Sequence, residues 1–154
     1  MSVDVGSKAP DFTLMNQDRQ PVTLSQLRGR PVVLAFFPAA FSGTCQKELC
    51  TFRDSMAQLN RANALVLGIS VDTFFALKAF QEQQSLTFPL LSDFNKQVIR
   101  DYDSFNEDMI GLKGIAKRSV FVLDKEGTVR YREVLDDARN EPNYQKVFDT
   151  LASL

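Results

Sequence analysis

The most informative absence in this chain of 154 residues is histidine, which does not occur at all. Without histidine there is no Ser-His-Asp or Cys-His catalytic arrangement and no histidine-based zinc site. The two cysteines are too few for a four-cysteine zinc site or an iron–sulfur cluster within one chain. The chemistry that remains uses cysteine, carboxylate, lysine or hydroxyl groups.

An excess of positive charge is also missing. The 18 lysines and arginines are balanced by 19 aspartates and glutamates, so the net charge is -1. There is no basic surplus to bind a nucleic-acid backbone or an anionic membrane. The longest apolar run, Pro31–Phe41, is too short to span a bilayer, and no export signal is visible. We therefore expect a cytoplasmic protein without nucleic-acid or membrane partners, in a compartment that keeps cysteines reduced.

Hydrophobic patterns alternate between strand and helix along the chain. The continuously apolar segment 32–37, bounded by two prolines, predicts a strand buried on both faces. A helical stripe follows, formed by Cys45, Leu49, Phe52, Met56 and Leu59. Further along we predict a strand at 65–69 and a helix at 73–84 that is capped by Asp72 and has Phe75, Leu77 and Phe80 on its inner surface. A hairpin at 119–134 and a closing helix at 144–154 are predicted after it.

The order of these elements predicts an α/β, thioredoxin-like sandwich. An N-terminal β-hairpin (12–14 with 21–24) precedes the core, and an insertion precedes the last hairpin. Residues 1–154 are expected to form one domain. Right-handed crossovers make the first two core strands parallel, so a site is expected at their carboxyl ends, where strand 32–37 leads into Cys45.

Cys45 lies where local structure favours a thiolate. If Ser42 caps the helix, Cys45 is its third residue, beside unpaired backbone N–H groups and the positive end of the helix dipole. Arg118 precedes strand 119–123, which reaches the same edge if it runs antiparallel to strand 32–37. From position alone, Cys45 is equally consistent with an inert core cysteine, and Arg118 with a solvated cation.

The stretch FFPAAFSGTC resembles the peroxiredoxin signature Pro-x-x-x-Thr/Ser-x-x-Cys, read here as Pro38, Ser42 and Cys45. The segments PDFTL, FPLLSD and RSVFVLD also occur in the order of that family. The resemblance covers nearly the whole chain. It is closest to the alkyl hydroperoxide reductase E and bacterioferritin comigratory protein (peroxiredoxin Q) groups.

The resemblance implies a role for each matching residue. Cys45 is the peroxidatic cysteine, Ser42 hydrogen-bonds the thiolate and the peroxide, and Pro38 shields the site from water. Arg118 stabilises the thiolate and orients the peroxide, and Glu48 matches an acidic position that holds the arginine.

The same resemblance implies a thiol-dependent peroxidase that reduces hydrogen peroxide and organic hydroperoxides through a sulfenic acid, without metal, flavin or haem. Its implied partners are the peroxide and a reductant, which is a thioredoxin-like protein, a glutaredoxin-like protein or a small thiol. The implied assembly is a homodimer.

The role of Cys50 decides whether the resemblance implies a two-cysteine or a one-cysteine peroxiredoxin. In an intact helix its Cα lies about 8.7 Å from that of Cys45, beyond the roughly 7 Å limit for a disulfide. The peroxiredoxin Q group has a resolving cysteine at this spacing, and there the helix start unwinds. Some reductase E members lack it and use an external thiol, so a one-cysteine peroxidase with a passive Cys50 stays open. A thiol–disulfide oxidoreductase, whose usual Cys-x-x-Cys is absent, and a redox sensor are further alternatives.

Overall fold

Nine strands and five α-helices follow one another along residues 3–154, the part of the chain that this computed structural model describes. The first two residues of the predicted domain lie outside that part. The strands are β1 (Thr13–Asn16), β2 (Pro21–Thr23), β3 (Val32–Phe36), β4 (Leu65–Ser70), β5 (Leu90–Ser92), β6 (Phe105–Asn106), β7 (Ile115–Ala116), β8 (Ser119–Leu123) and β9 (Val129–Val134). The helices are α1 (Gly43–Asp54), α2 (Met56–Arg61), α3 (Phe74–Gln84), α4 (Gln97–Asp101) and α5 (Tyr144–Ala152).

A mixed seven-stranded sheet forms the centre of the fold, in the order β2-β1-β5-β4-β3-β8-β9. β3 is parallel to β4 and antiparallel to β8, as the sequence predicts. The N-terminal hairpin of β1 and β2 joins the sheet because β1 pairs antiparallel with β5. The α/β thioredoxin-like architecture is therefore confirmed, and β2 and β9 are its two edges.

β3 is buried on both faces because each face meets its own layer of apolar side chains. Val33 and Ala35 belong to a cluster that includes α1, α3 and α5 residues, whereas Leu34 and Phe36 belong to a second cluster on the opposite face. All five residues of β3 are buried. This rigid central strand ends at the loop that leads into α1.

Three local predictions are wrong. The apolar stripe that begins at Cys45 forms two helices, because Ser55 leaves helical geometry (φ −99°, ψ 11°) after Asp54. Serine and aspartate side chains compete with the helix for backbone hydrogen bonds, so both are unfavourable in a helix interior. Thr73, not Asp72, caps α3, since its side chain accepts the Ala76 N–H. Phe75, predicted to point inward, is 68% exposed.

The insertion before the last hairpin contains a small antiparallel ribbon that the sequence does not predict. Its strands are β6 and β7, two residues each. Across residues 3–154 every helix is too short or too polar to cross a membrane.

Candidate active site

Cys45 is the third residue of α1, as the sequence predicts, and its side chain is fully buried. Ser42 is the N-cap, with extended backbone (φ −74°, ψ 148°). The first turn of α1 contains no acidic residue that would neutralise the positive end of the helix dipole. The sulfur therefore lies beside the unpaired first-turn N–H groups, an environment that stabilises negative charge.

A groove of about 660 Å³ opens above this helix start. Pro38, Ser42 and Arg118 all line it, together with residues of the β6–β7 insertion such as Met109. The Ser42 side chain makes no capping hydrogen bond to α1, so its hydroxyl is not used by the helix. Cys45 is fully buried and is not itself a lining residue, but Ser42, Gly43 and Thr44, which directly precede it, line the groove.

Arg118 reaches the site from the other side of β3. The register pairs Phe36 with Ser119, so the residue before β8 lies at the carboxyl end of β3, beside the start of α1. The Arg118 side chain is 1% exposed. Burial by itself would lower its pKa, but the adjacent Glu48 and Cys45 side chains raise the pKa above the ordinary value for arginine. The guanidinium is therefore a fixed positive charge next to the sulfur.

The donors of Arg118 are held in one orientation. Its Nη1 donates to Glu48 Oε1 at 3.0 Å. Its Nε and Nη2 donate to the carbonyl oxygen of Ala138 at 3.2 and 2.9 Å. This fork is what a planar guanidinium makes and an ammonium does not. A sequence pattern gives no signal for Ala138, because the contact uses a backbone carbonyl that every residue has.

Glu48 lies one helical turn after Cys45 and is fully buried. Burial raises the pKa of its carboxyl group to about 8, against the opposing attraction of Arg118. Its Oε2 has no hydrogen-bond partner. A buried carboxyl of this kind keeps its proton near neutral pH, and Arg118 then remains the main charge available to the sulfur.

Cys50 is half-buried and lies away from the groove lining. Its Sγ donates to Gln84 Oε1 at 3.5 Å, and Arg53 donates to the Gln84 backbone carbonyl. Both cysteines are free thiols, and α1 is continuous between them. The structure thus brings Pro38, Ser42, Cys45, Glu48 and Arg118 together and leaves Cys50 apart from them.

No group of three or more histidine, cysteine, aspartate or glutamate side chains with the placement of metal ligands occurs within residues 3–154. The candidate site is built from a thiol, a hydroxyl, a guanidinium and a carboxyl group. Such a set suits nucleophilic attack by sulfur with stabilisation of a negatively charged leaving oxygen.

Comparisons with known proteins agree with this chemistry. A model of the AhpC/TSA family matches residues 5–132. Alkyl hydroperoxide reductase E of Mycobacterium tuberculosis is 43% identical over 135 residues, which cover 86% of each chain. Peroxiredoxin Q of Oryza sativa subsp. japonica, described as chloroplastic, is 42% identical over 129 residues. That match covers 84% of this chain, but the chain spans only 58% of the length of the rice protein.

Solved structures show the same architecture over almost the whole chain. The crystal structure of peroxidoxin BcpB from Mycobacterium tuberculosis has a TM-score of 0.89 at 31% identity and covers 99% of this chain and 98% of its own. A peroxiredoxin-like protein from Aquifex aeolicus has a TM-score of 0.90 at 27% identity and covers 99% of this chain and 88% of its own. The chain belongs to the AhpC/TSA family and is a peroxiredoxin.

Proposed function

We propose that residues 1–154 form a single-domain thiol peroxidase that reduces hydrogen peroxide and organic hydroperoxides at Cys45. The observation that carries this proposal is the convergence of Arg118 on the helix start that holds Cys45 and Ser42, from more than seventy residues along the chain. A passive core cysteine needs neither a buried cation nor an uncommitted hydroxyl beside it.

In the proposed reaction the Cys45 thiolate attacks the terminal oxygen of ROOH. A sulfur–oxygen bond forms, the O–O bond breaks, and RO⁻ leaves and takes up a proton to give ROH. Cys45 becomes a sulfenic acid. Negative charge moves from sulfur to the leaving oxygen, and Arg118, Ser42 and the first-turn amides are donors that follow it without reorganisation. Pro38 closes one side of the groove to water.

The second half of the proposal is that Cys50 resolves the sulfenic acid. Its thiolate attacks the Cys45 sulfur, the S–S bond forms, and hydroxide leaves and is protonated to water. The two residues are five apart on a continuous helix, so the first turn of α1 has to unwind before they meet. The alternative is a one-cysteine enzyme, favoured by the hydrogen bond that holds Cys50 to Gln84, away from the groove.

The remaining partners follow from this chemistry. A thioredoxin-like or glutaredoxin-like protein, or a small thiol, is proposed to return the enzyme to its reduced state. A reducing cytoplasm is the proposed location, since it supplies such thiols. A homodimer is the proposed assembly. Phe75 and Phe94 support a contact face, because they line the same surface pocket and their side chains are 68% and 61% exposed.

The test is intact mass after one equivalent of peroxide, together with peroxide consumption in the presence of a thiol. We expect wild type to lose two hydrogens, which marks the Cys45–Cys50 disulfide. Cys50→Ser should instead gain one oxygen at the same initial rate, and folded Cys45→Ser should consume no peroxide. Turnover by folded Cys45→Ser contradicts the mechanism. A wild type that only gains oxygen makes Cys50 passive and the protein a one-cysteine peroxidase.

A further inference from the structure

The short loop at residues 38–42, called here the active-site loop, joins the end of the central strand β3 to the start of α1. It carries Pro38 and Ser42, and Cys45 follows one turn later. Within the loop, Phe41 has a positive φ of 70°. A bulky side chain in this left-handed region is strained, so the loop needs contacts that hold it in place.

One side chain supplies the polar contact. Asp72 Oδ2 accepts the backbone N–H of Ala40 at 2.8 Å. Across residues 3–154 this is the one hydrogen bond that joins the active-site loop to a strand, helix or loop other than α1. The loop also makes an apolar contact: the rings of Phe41 and Phe80 meet edge-on, with their centroids 5.1 Å apart.

Asp72 is itself fixed from two sides. The hydroxyl of Ser70, a buried residue at the end of β4, donates to the same Oδ2 at 2.7 Å. The Ser92 hydroxyl donates to the Asp72 backbone carbonyl at 2.6 Å. The carboxylate is therefore anchored to the carboxyl end of β4 and the Asp72 backbone to that of β5, and through Asp72 the loop is attached to the sheet.

These contacts lie at the place where the reaction requires movement. Cys45 is fully buried, and its bridge to Cys50 requires the first turn of α1 to unwind. The loop directly before this turn contains the strained φ of Phe41 and the Ala40–Asp72 bond. The strain favours a change of the loop, and the hydrogen bond opposes it. One charge-assisted hydrogen bond and the Phe41–Phe80 ring contact thus hold the loop against a strained backbone.

We propose that Asp72 is the latch of the active-site loop, a positioning residue that holds the closed, peroxide-reactive conformation and sets how often the first turn of α1 opens. The link to disulfide formation rests on the proposed function of Cys50. The opening itself does not, because it takes place in the reduced protein without peroxide.

The direct measurement is hydrogen exchange of the Gln46 amide in the reduced protein, followed by NMR. Gln46 N–H donates to the Ser42 carbonyl at 2.9 Å, a bond that breaks when the first turn unwinds. Losing a hydrogen bond to a charged acceptor is expected to speed this exchange about tenfold or more in Asp72→Ala. Asp72→Asn keeps an oxygen acceptor and is expected to give a smaller increase, as is Ser70→Ala, which frees the carboxylate on one side.

A matched control is Asp124→Ala. Asp124 Oδ1 accepts the backbone N–H groups of Glu126 and Thr128 in the turn after β8, at the opposite end of the sheet from the site. This variant should lose global stability yet leave Gln46 exchange within about twofold of wild type after correction for global unfolding.

The latch is contradicted if folded Asp72→Ala exchanges the Gln46 amide at the wild-type rate, or if Asp124→Ala speeds this exchange as much. Should Asp72→Ala not fold, Asp72→Asn and Ser70→Ala decide the question by the same measurement. A second readout is the rate of Cys45–Cys50 disulfide formation, which should rise by the same factor as the exchange. Absence of any disulfide in wild type counts against the resolving role of Cys50 and leaves the exchange result for the latch intact.

Discussion

Replacing Arg118 by alanine removes the buried positive charge beside Cys45. In the proposed mechanism the guanidinium stabilises the thiolate and the leaving oxygen, and Glu48 and Ala138 hold its donors in place. One such donor contributes about 1.5–3 kcal/mol. We therefore expect the rate of Cys45 oxidation by peroxide to fall roughly 10–150-fold.

The same substitution has a separate effect on stability. It leaves the half-buried Ala138 carbonyl and the fully buried Glu48 carboxyl without their donor. An unsatisfied buried group such as the Glu48 carboxyl costs about 1–3 kcal/mol. Because burial raises the pKa of Glu48 to about 8, the carboxyl stays protonated near neutral pH and no bare buried anion remains. We expect Arg118→Lys to recover part of the rate only, since an ammonium lacks the planar fork.

The rate is measured in a single turnover by rapid acid quench and intact mass, because the chain has no tryptophan to report oxidation by fluorescence. Lys117→Ala is the matched control. Lys117 is the neighbouring cation, and it pairs with the exposed Asp136. Because an exposed ion pair contributes little, Lys117→Ala is expected to keep the oxidation rate within about twofold of wild type. Wild-type oxidation kinetics in folded Arg118→Ala, or an equal loss in Lys117→Ala, would refute the assigned role.

Three further outcomes are expected. The pKa of Glu48 is about 8 in the folded protein and 4.5 in the unfolded chain, so its contribution to stability falls as pH rises between these values. Glu48→Gln should remove about 3–4 kcal/mol of this decline, measured by urea unfolding at pH 5 and 8. Gly68→Ala should cost about 1–3 kcal/mol in the same assay, because its Cβ would lie 2.7 Å from Leu90 Cδ2. Arg53 interacts electrostatically with Cys50, so Arg53→Gln should slow disulfide formation about two- to fivefold, as followed by intact mass.

The central strands and the site edge could be predicted because their signals are local and unambiguous. A fully apolar segment between two prolines indicates a strand buried on both faces, and the pairing of Phe36 with Ser119 confirms the antiparallel neighbour. That topology alone places Arg118 at the start of α1. The position of Cys45 as the third helical residue follows from Ser42 as the N-cap, which the structure confirms.

Contacts between distant segments could not be predicted in the same way. Asp72 has the sequence pattern of a helix cap, but its carboxylate binds the active-site loop instead, and Thr73 takes the capping position. An aspartate before a helix satisfies either role, and tertiary packing decides between them. Phe75 fits the inner stripe of α3, yet it is exposed because α3 meets the sheet through Leu77 and Phe80.

The edge of the sheet at β9 bears on how copies of the protein meet. An unpaired edge strand invites strand addition by another molecule, and charged side chains oppose it. β9 contains Arg130, Arg132 and Glu133 within six residues, and Arg130 and Arg132 pair with Asp124 and Asp103 of the same chain. Extending the sheet from one copy to the next would desolvate these ion pairs. The sheet is therefore expected to end at β9, and the proposed homodimer is expected to form through a helix-and-loop face instead.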